Sequence, residues 1–121
     1  MSRPMKILIC GDRNWTNKYL IMITLADLPI QSTDVIIHGN ARGADRLGAE
    51  CALELKLAVV SISADWKQYG RAAGPIRNKK MLDEKPDLVL AFHNNIESSK
   101  GTKNCINEAK RRGITVKLIT E

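Results

Sequence analysis

Short apolar runs alternate with longer amphipathic stretches along this chain. Each apolar run ends at or near a glycine or a polar residue, and five of them predict buried strands over Met5–Cys10, Asp34–His38, Ala58–Ile62, Asp87–Phe92 and Ile114–Ile119. The stretches between these runs repeat their apolar residues at helical spacing. They predict helices over Asn17–Pro29, Asp45–Lys56, Gly74–Asp83 and Thr102–Arg112.

The alternation of strand and helix predicts an α/β fold. Strands that are apolar on both faces and separated by helices form a parallel sheet covered on both sides, with right-handed crossovers. We therefore expect one Rossmann-like three-layer domain over residues 1–121, with a five-stranded parallel sheet in the order 3-2-1-4-5. The length of 121 residues also fits a single domain.

Composition narrows the class of protein further. Hydrophobic residues make up 44% and charged residues 26%, as in ordinary globular proteins. No apolar run approaches the ~20 residues of a membrane-spanning helix, so no membrane partner is expected. Cys10, Cys51 and Cys105 lack the spacing of a zinc site, and their odd number favours a reducing, cytoplasmic compartment. The net charge of +6 favours an anionic partner.

The residues with the most distinctive chemistry follow the carboxyl ends of the predicted strands. The loops after the first four strands hold arginines, glycines, tryptophans and asparagines, whereas the opposite edge holds ordinary turn residues. Ligands of open parallel sheets bind at the carboxyl edge, where the strand order reverses. The densest segment is Ala64–Asn78, which places arginines, glycines and aromatic residues between a strand and a helix.

We predict a pocket for a phosphorylated, nucleotide-like anion at this edge. Arginine offers planar donors that match phosphate, glycine lets the backbone approach a ligand, and aromatic rings supply stacking faces. The predicted ligand-binding residues are Gly11, Asp12, Arg13, Trp15, Gly39, Arg42, Gly43, Asp45, Asp65, Trp66, Tyr69, Gly70, Arg71, Gly74, Arg77, Asn78, His93, Lys100, Gly101 and Thr102. The two glycines of Gly39–Asp45 predict free backbone N–H groups that face a phosphate. Asp45 is either a helix-dipole partner or a ligand contact.

These segments resemble the YspA-like branch of the SLOG superfamily. The resemblance rests on Gly11–Arg13, Gly39–Asp45, Ala64–Trp66, Gly70–Asn78 and Gly101–Thr102, and it spans nearly the whole chain. The superfamily is Rossmann-like and includes DprA proteins, LOG phosphoribohydrolases and ligand-sensing domains of bacterial and phage systems. The resemblance implies binding or sensing of a nucleotide or a nucleotide-derived molecule such as an ADP-ribose derivative, and self-association into a homo-oligomer.

Two further function classes stay open. An N-glycosidase acting on a nucleoside monophosphate needs a carboxylate, and the candidates are Asp12, Asp45, Asp65 and Glu108. LOG enzymes carry a glycine-rich loop followed by a catalytic glutamate, of which this chain keeps only Gly101-Thr102, so no catalytic residue is assigned. The basic charge also fits a single-stranded nucleic-acid binder, although aromatic residues are too few for successive base stacking. No cofactor is identified, and no dedicated magnesium site is apparent.

Overall fold

The five strands form one parallel sheet. The computed structural model describes residues 3–121, and the strands are β1 Lys6–Gly11, β2 Val35–His38, β3 Ala58–Ser61, β4 Leu88–Phe92 and β5 Thr115–Ile119. Their order is β3-β2-β1-β4-β5, which confirms the predicted fold and topology. The strand order reverses between β1 and β4, so the carboxyl ends of these two strands flank the crevice in which such sheets bind ligands.

Helices cover both faces of the sheet. The helices are α1 Lys18–Ala26, α2 Ala44–Glu54, the short α3 Trp66–Tyr69, α4 Ala73–Asp83 and α5 Gly101–Arg111. Side chains of β1 alternate between the two layers. Ile7 and Ile9 are buried in the cluster that α1 and α2 close, while Leu8 and Cys10 belong to the cluster closed by α4 and α5. This alternation of two apolar sets explains why the strand is an unbroken apolar run.

The helix ends differ from the prediction by one to three residues, for local reasons. Asn17 caps α1 by accepting a hydrogen bond from the N–H of Leu20 at 3.0 Å. Thr102, the first residue of the predicted helix, is the second residue of α5, and its N–H donates to the Oγ of Ser99 at 3.0 Å. Gly113 follows α5 with a φ of +75°, a conformation that glycine adopts readily just after a helix ends.

The segment after β3 holds a helical turn that hydrophobic periodicity did not predict. Asp65 accepts a hydrogen bond from the N–H of Gln68 at 3.0 Å and so caps α3, which is followed by a 3-10 turn over Gly70–Ala72. A four-residue helix is shorter than two turns, so it shows no recurrent apolar spacing. This turn places Trp66 beside the carboxyl edge of the sheet.

None of the helices within residues 3–121 has the length and apolar character needed to cross a bilayer.

Candidate functional site

Arginines from the segments that follow each of the first three strands converge on one cleft, although Arg71 does not reach it. This first cleft has a volume of about 290 Å³. Five of the residues predicted from the sequence line it, namely Arg13, Gly39, Arg42, Trp66 and Arg77. The structure therefore brings Arg13 and Arg42, which come from two different loops, and Arg77, which lies on α4, to a single concavity at the carboxyl edge.

A second cleft of about 570 Å³ adjoins the first. Arg13, Arg42 and Arg46 line both clefts and so stand between them. The remaining walls of the second cleft come from the loop after β1 and the start of α2, and they are formed by Asn14, Trp15, Thr16, Gly43 and Leu47. The carboxyl edge thus offers two joined concavities with a cationic boundary.

The arginines around these clefts have no carboxylate partner. Three arginines that lie elsewhere do have such partners. Arg3 pairs with Asp87, Arg111 pairs with Glu108, and Arg112 pairs with both Glu108 and Asp83. Among residues 3–121, by contrast, no Asp or Glu oxygen lies within 4.0 Å of a guanidinium nitrogen in Arg13, Arg42, Arg46, Arg71 or Arg77. Their charges are therefore available to an anion from outside.

Arg77 is the most firmly positioned of these arginines. Only 8% of its surface is exposed; its Nη1 donates to the carbonyl oxygen of Gly39 at 2.7 Å and its Nε to Oδ1 of Asn78 at 2.9 Å. Every buried side-chain nitrogen and oxygen in the described part of the chain has a hydrogen-bond partner. The Nη2 of Arg77 has none among residues 3–121, so it is not buried and is open to the first cleft that Arg77 lines.

The guanidinium of Arg77 lies directly on Gly39. A Cβ on Gly39 would stand 2.5 Å from Nη1 of Arg77 and 2.9 Å from its Cδ and Cζ. Only a residue without a side chain allows this contact. We predicted that the missing side chain of Gly39 lets a ligand approach, but it makes room for the guanidinium of Arg77.

Asn78 connects Arg77 to the start of α5. Its Nδ2 donates to the carbonyl oxygen of Gly101 at 3.2 Å and to Oδ1 of Asn104 at 2.9 Å. Asn78 is buried and lines neither cleft, so it positions Arg77 from behind. Lys100, Gly101 and Thr102 also line neither cleft, and their predicted contact with a ligand has no support in the geometry.

Asp45 organises the loop between β2 and α2. Its carboxylate is buried, and it accepts a hydrogen bond from the backbone N–H of Gly39 at 2.8 Å. The N–H of Asn40 donates to Nδ1 of His38, and that of Ala44 to the carbonyl oxygen of Asp12. The expectation that the N–H groups of this segment are free to face a phosphate is therefore wrong for Gly39, Asn40 and Ala44.

Burial dominates the titration of Asp45. Removal from water raises the pKa of its carboxyl from about 3.8 to about 6, although the Gly39 N–H and the Arg77 guanidinium act in the opposite direction. The carboxylate is therefore a buried structural anion near the cleft, and it offsets part of the charge of Arg77.

A pH-dependent stability follows from Asp45. Because its pKa is higher in the folded state, the native protein binds the proton more tightly, and the free energy of unfolding falls as pH rises from about 4 to about 6. The size of this fall is about 3 kcal/mol, from ~1.4 kcal/mol per unit. We expect Asp45→Asn to remove this fall, measured by urea unfolding between pH 4 and pH 8.

Asp87→Asn is the control, because Asp87 makes stability depend on pH in the opposite direction. The hydrogen bond from Arg3 lowers the pKa of Asp87, so the stability that this carboxylate adds is lost as pH falls through its lowered pKa. Equal pH profiles for the wild-type protein and Asp45→Asn would contradict the assignment to Asp45.

The four carboxylates considered for catalysis all hold structure. Asp12 accepts a hydrogen bond from the N–H of Asn14 at 2.9 Å, Asp65 caps α3, and Asp45 holds the loop after β2. Hydrogen bonds from Arg111 and also Arg112 hold the pKa of Glu108 below its usual value, far along α5. None of the four lines either cleft, so the structure assigns no acid to N-glycosidic cleavage.

The two tryptophans have different environments. Trp66 is 50% exposed, lines the first cleft and lies under the guanidinium of Arg13, whose Cζ is 5.5 Å from the ring centroid. Trp15 is only 3% exposed; its ring centroid is 5.7 Å from that of Phe92, and its Nε1 donates to the carbonyl oxygen of Asn17 at 2.9 Å. Trp15 is a core residue that contributes a small part of the second cleft, which corrects its prediction as a stacking surface.

The remaining predicted residues are placed around the clefts or inside the fold. Tyr69, Gly70 and Arg71 lie on α3 and the following 3-10 turn, are exposed and line neither cleft. His93 is buried, and its Nδ1 accepts a hydrogen bond from the N–H of Asn95 at 3.0 Å. A Cβ on Gly11 would meet the carbonyl oxygen of Phe92 at 2.3 Å, so this glycine serves the packing of two strand ends. Gly74 packs beside the ring of Trp66.

Several cleft residues were missed by the sequence analysis, namely Asn40, Ala41, Arg46, Ser63 and Ala64 in the first cleft and Asn14, Thr16 and Leu47 in the second. Arg46 had a usable signal. It follows Asp45 in the first turn of α2 and lies four residues after Arg42, which places two arginines on one side of the helix start. Ser63 and Ala64 carry no chemical signal, since their importance depends on the direction of the loop.

No three metal-ligating side chains come together anywhere in the described range 3–121. The cysteines are buried free thiols.

Comparison with known proteins gives two matches. The family model described as "YspA, cpYpsA-related SLOG family" matches residues 5–69, which span the loops after β1 and β2 and α3. The "Gene 61 protein" of Mycobacterium phage D29 is 34% identical over 118 residues, covering 92% of this chain and 93% of that protein. The matched segments therefore include most of the lining of both clefts.

Proposed function

Because the chain belongs to the YspA, cpYpsA-related SLOG family, for which nucleotide-related binding or modification is the expected activity, we propose that it binds or senses a phosphorylated nucleotide derivative of the ADP-ribose type. The first cleft is the proposed site. Its phosphate-binding groups are Arg13, Arg42 and Arg77, and Trp66 supplies a face for the base or the ribose.

The observation that carries this proposal is the distribution of paired and unpaired arginines. Arg13, Arg42 and Arg77 share one concavity and have no carboxylate within ion-pair distance in the part of the chain that the structure describes, whereas Arg3, Arg111 and Arg112 all have one. Like charges gathered in a concave, partly desolvated site repel one another, and a bound anion relieves that repulsion. Guanidinium groups also match the oxygen pairs of phosphate.

Trp66 and Arg13 together form a flat surface on which the ring of a base can stack. The guanidinium already lies over the indole at 5.5 Å, in the range of cation–π contacts. A base stacked on the exposed part of Trp66 places its phosphates beside Arg13. Half of the surface of Trp66 is exposed, which leaves apolar area for a ligand to cover.

Two alternatives have less support. Cleavage of an N-glycosidic bond needs a carboxylate at the ribose, and Asp12, Asp45, Asp65 and Glu108 are all held away from the cleft linings. Single-stranded nucleic acid needs an extended basic track with repeated stacking faces, whereas here Arg13, Arg42, Arg46 and Arg77 surround two concavities.

Titration with ADP tests the proposal. We expect the wild-type protein to bind ADP in isothermal titration calorimetry, and the double variant Arg13→Gln/Arg42→Gln to bind at least tenfold more weakly, because two charge-assisted contacts are lost. Arg111→Gln is the matched control, since Arg111 is a surface arginine that already pairs with Glu108. Absence of binding by the wild-type protein at millimolar ADP, or equal affinity in the double variant, would refute the site. Release of free adenine during the titration would instead show turnover.

The setting of the protein is also proposed. Buried free thiols fit a reducing compartment, so we place the protein in the cytoplasm. Homo-oligomerisation remains a proposal from the family resemblance.

A further inference from the structure

We propose that the ligand has two ends, with a central diphosphate on the boundary between the clefts and a second ring in the second cleft. This inference rests on the proposed function, because it takes the nucleotide to occupy the first cleft. It adds the chemical class of the ligand's other end, a flat ring of low polarity, and it assigns the second cleft and Arg46.

The first observation that favours a two-ended ligand is the position of the arginines. Arg13, Arg42 and Arg46 line both clefts, so the positive charge lies between two concavities. A nucleotide with its phosphate at one terminus leaves one side of this boundary empty. A diphosphate that joins two groups places its negative charges on the boundary and one group on each side.

The walls of the second cleft determine what its occupant looks like. Leu47 and the edge of Trp15 are apolar and are held by the core, and Thr16 and Asn14 add a few polar atoms at the rim. Asn40 and Ser63 make the first cleft more polar. Apolar walls fixed by packing suit a flat, weakly polar ring better than a hydroxyl-rich sugar, whose groups would lose hydrogen bonds to water.

The sizes of the two clefts agree with this assignment. The second cleft, at about 570 Å³, is roughly twice the first, at about 290 Å³. Both lie within or near the range of about 300–1,000 Å³ typical of small-molecule sites. The larger volume leaves room for a complete nucleoside beyond the diphosphate.

Arg46 holds the middle of the boundary in this arrangement. Its Nε lies 3.4 Å from Oδ1 of Asn40, a long contact that leaves the guanidinium able to turn towards an anion. It has no carboxylate within ion-pair distance in the described residues. Its place in the first turn of α2 keeps its backbone fixed while the side chain reaches the ligand.

Three substitutions to tryptophan distinguish binding in the first cleft from binding in the second. Thr16→Trp fills the second cleft, Ser63→Trp fills the first, and Ser32→Trp is the matched control on an exposed loop far along the chain from both. Thr16, Ser63 and Ser32 are exposed, so the core is undisturbed. The probes are ADP, ADP-ribose and P1,P2-di(adenosine-5′) diphosphate, each titrated by calorimetry, and thermal unfolding confirms that each variant is folded.

The expected result has three parts. The wild-type protein binds the dinucleoside diphosphate at least tenfold more tightly than ADP, with ADP-ribose between them. Thr16→Trp removes that advantage and changes the dissociation constant for ADP less than threefold. Ser63→Trp weakens all three probes at least tenfold, and Ser32→Trp changes none.

The failures are distinguishable. If the wild-type protein binds ADP but gains nothing from the second nucleoside, the two-ended ligand is refuted and the proposed function stands. If Thr16→Trp weakens ADP as strongly as the dinucleoside diphosphate, the mononucleotide itself occupies the second cleft, which also overturns the inference. If none of the probes binds, the proposed function itself fails.

Discussion

Replacing Arg77 with alanine is expected to weaken ADP binding by ~2–4 kcal/mol, the scale for truncating a buried charge-assisted contact, or roughly 30- to 1,000-fold in the dissociation constant. Arg77 is held by Gly39 and Asn78, so its Nη2 is already aimed into the first cleft before the ligand arrives. A preorganised donor loses little side-chain entropy on binding, which makes its removal costly.

The same substitution lowers stability, and the two effects must be measured apart. Arg77→Ala leaves the carbonyl oxygen of Gly39 and Oδ1 of Asn78 without their donor, at a cost of about 1–3 kcal/mol. We therefore measure urea unfolding of each variant first and perform the titration where the variant is fully folded. Arg77→Lys keeps the charge but loses the planar fork, so we expect an intermediate affinity.

Arg71→Ala is the control for charge alone. Arg71 lies six residues earlier on an exposed 3-10 turn and lines neither cleft, so its removal subtracts one positive charge without touching the site. The sequence predicted a phosphate contact for Arg71, whereas the structure predicts a change of less than threefold. Equal losses in Arg71→Ala and Arg77→Ala would show that net charge, and not the geometry of Arg77, governs binding.

Replacing Gly43 with alanine should destabilise the fold by 3 kcal/mol or more, a large share of the ~5–15 kcal/mol that a domain has. Gly43 has φ +74° and ψ −125°, a region open to glycine alone. A Cβ would lie 2.3 Å from the carbonyl oxygen of Asp12 and 2.6 Å from the carbonyl carbon and oxygen of Arg13. These are backbone atoms at the start of the site, so no rotamer change relieves the clash.

Substitutions at two other glycines separate the effect of backbone strain from that of the steric clash. Gly113→Ala has nearly the same φ, +75°, with nothing within 4 Å of the new Cβ, so it reports backbone strain alone, about 1–2 kcal/mol. Gly101→Ala has open space and an ordinary φ at the start of α5, and it should be neutral or slightly stabilising. Urea unfolding of the three variants isolates the cost of the clash. A loss in Gly43→Ala no larger than in Gly113→Ala would contradict the close approach of the two loops.

The contact at Gly43 also matters for the clefts. The N–H of Ala44 donates to the carbonyl oxygen of Asp12, so the loops after β1 and β2 are joined at this point. Arg13 and Arg42 flank the junction in sequence and line both clefts. Gly43→Ala should therefore also lower the affinity for ADP at temperatures where the variant is folded.

The alternation of apolar runs and amphipathic stretches was enough to predict the parallel sheet, and the Rossmann-type strand order expected for such a sheet is the one that the structure has. Ile7–Cys10 and Leu88–Phe92 are apolar on both faces, and only central strands of a covered sheet require that. The placement of Arg13, Arg42 and Arg77 at one edge followed from the same pattern, because all carboxyl ends of a parallel sheet share an edge.

The roles of individual side chains at that edge depended on contacts between distant segments. Arg77 contacts Gly39 from 38 residues away, and the carboxylate of Asp45 occupies the N–H of Gly39, which the glycine pattern predicted to face a phosphate. Whether Trp15 or Trp66 faces solvent depends on the direction of each loop, which composition does not encode. The spacing of apolar residues shows which side of a segment faces the core and which side faces water. The sequence by itself therefore determined the layers of the fold and the carboxyl edge at which the candidate site lies. The lining of the two clefts was decided by the tertiary structure alone, because buried hydrogen bonds and steric exclusion act between residues brought together only when the sheet is assembled.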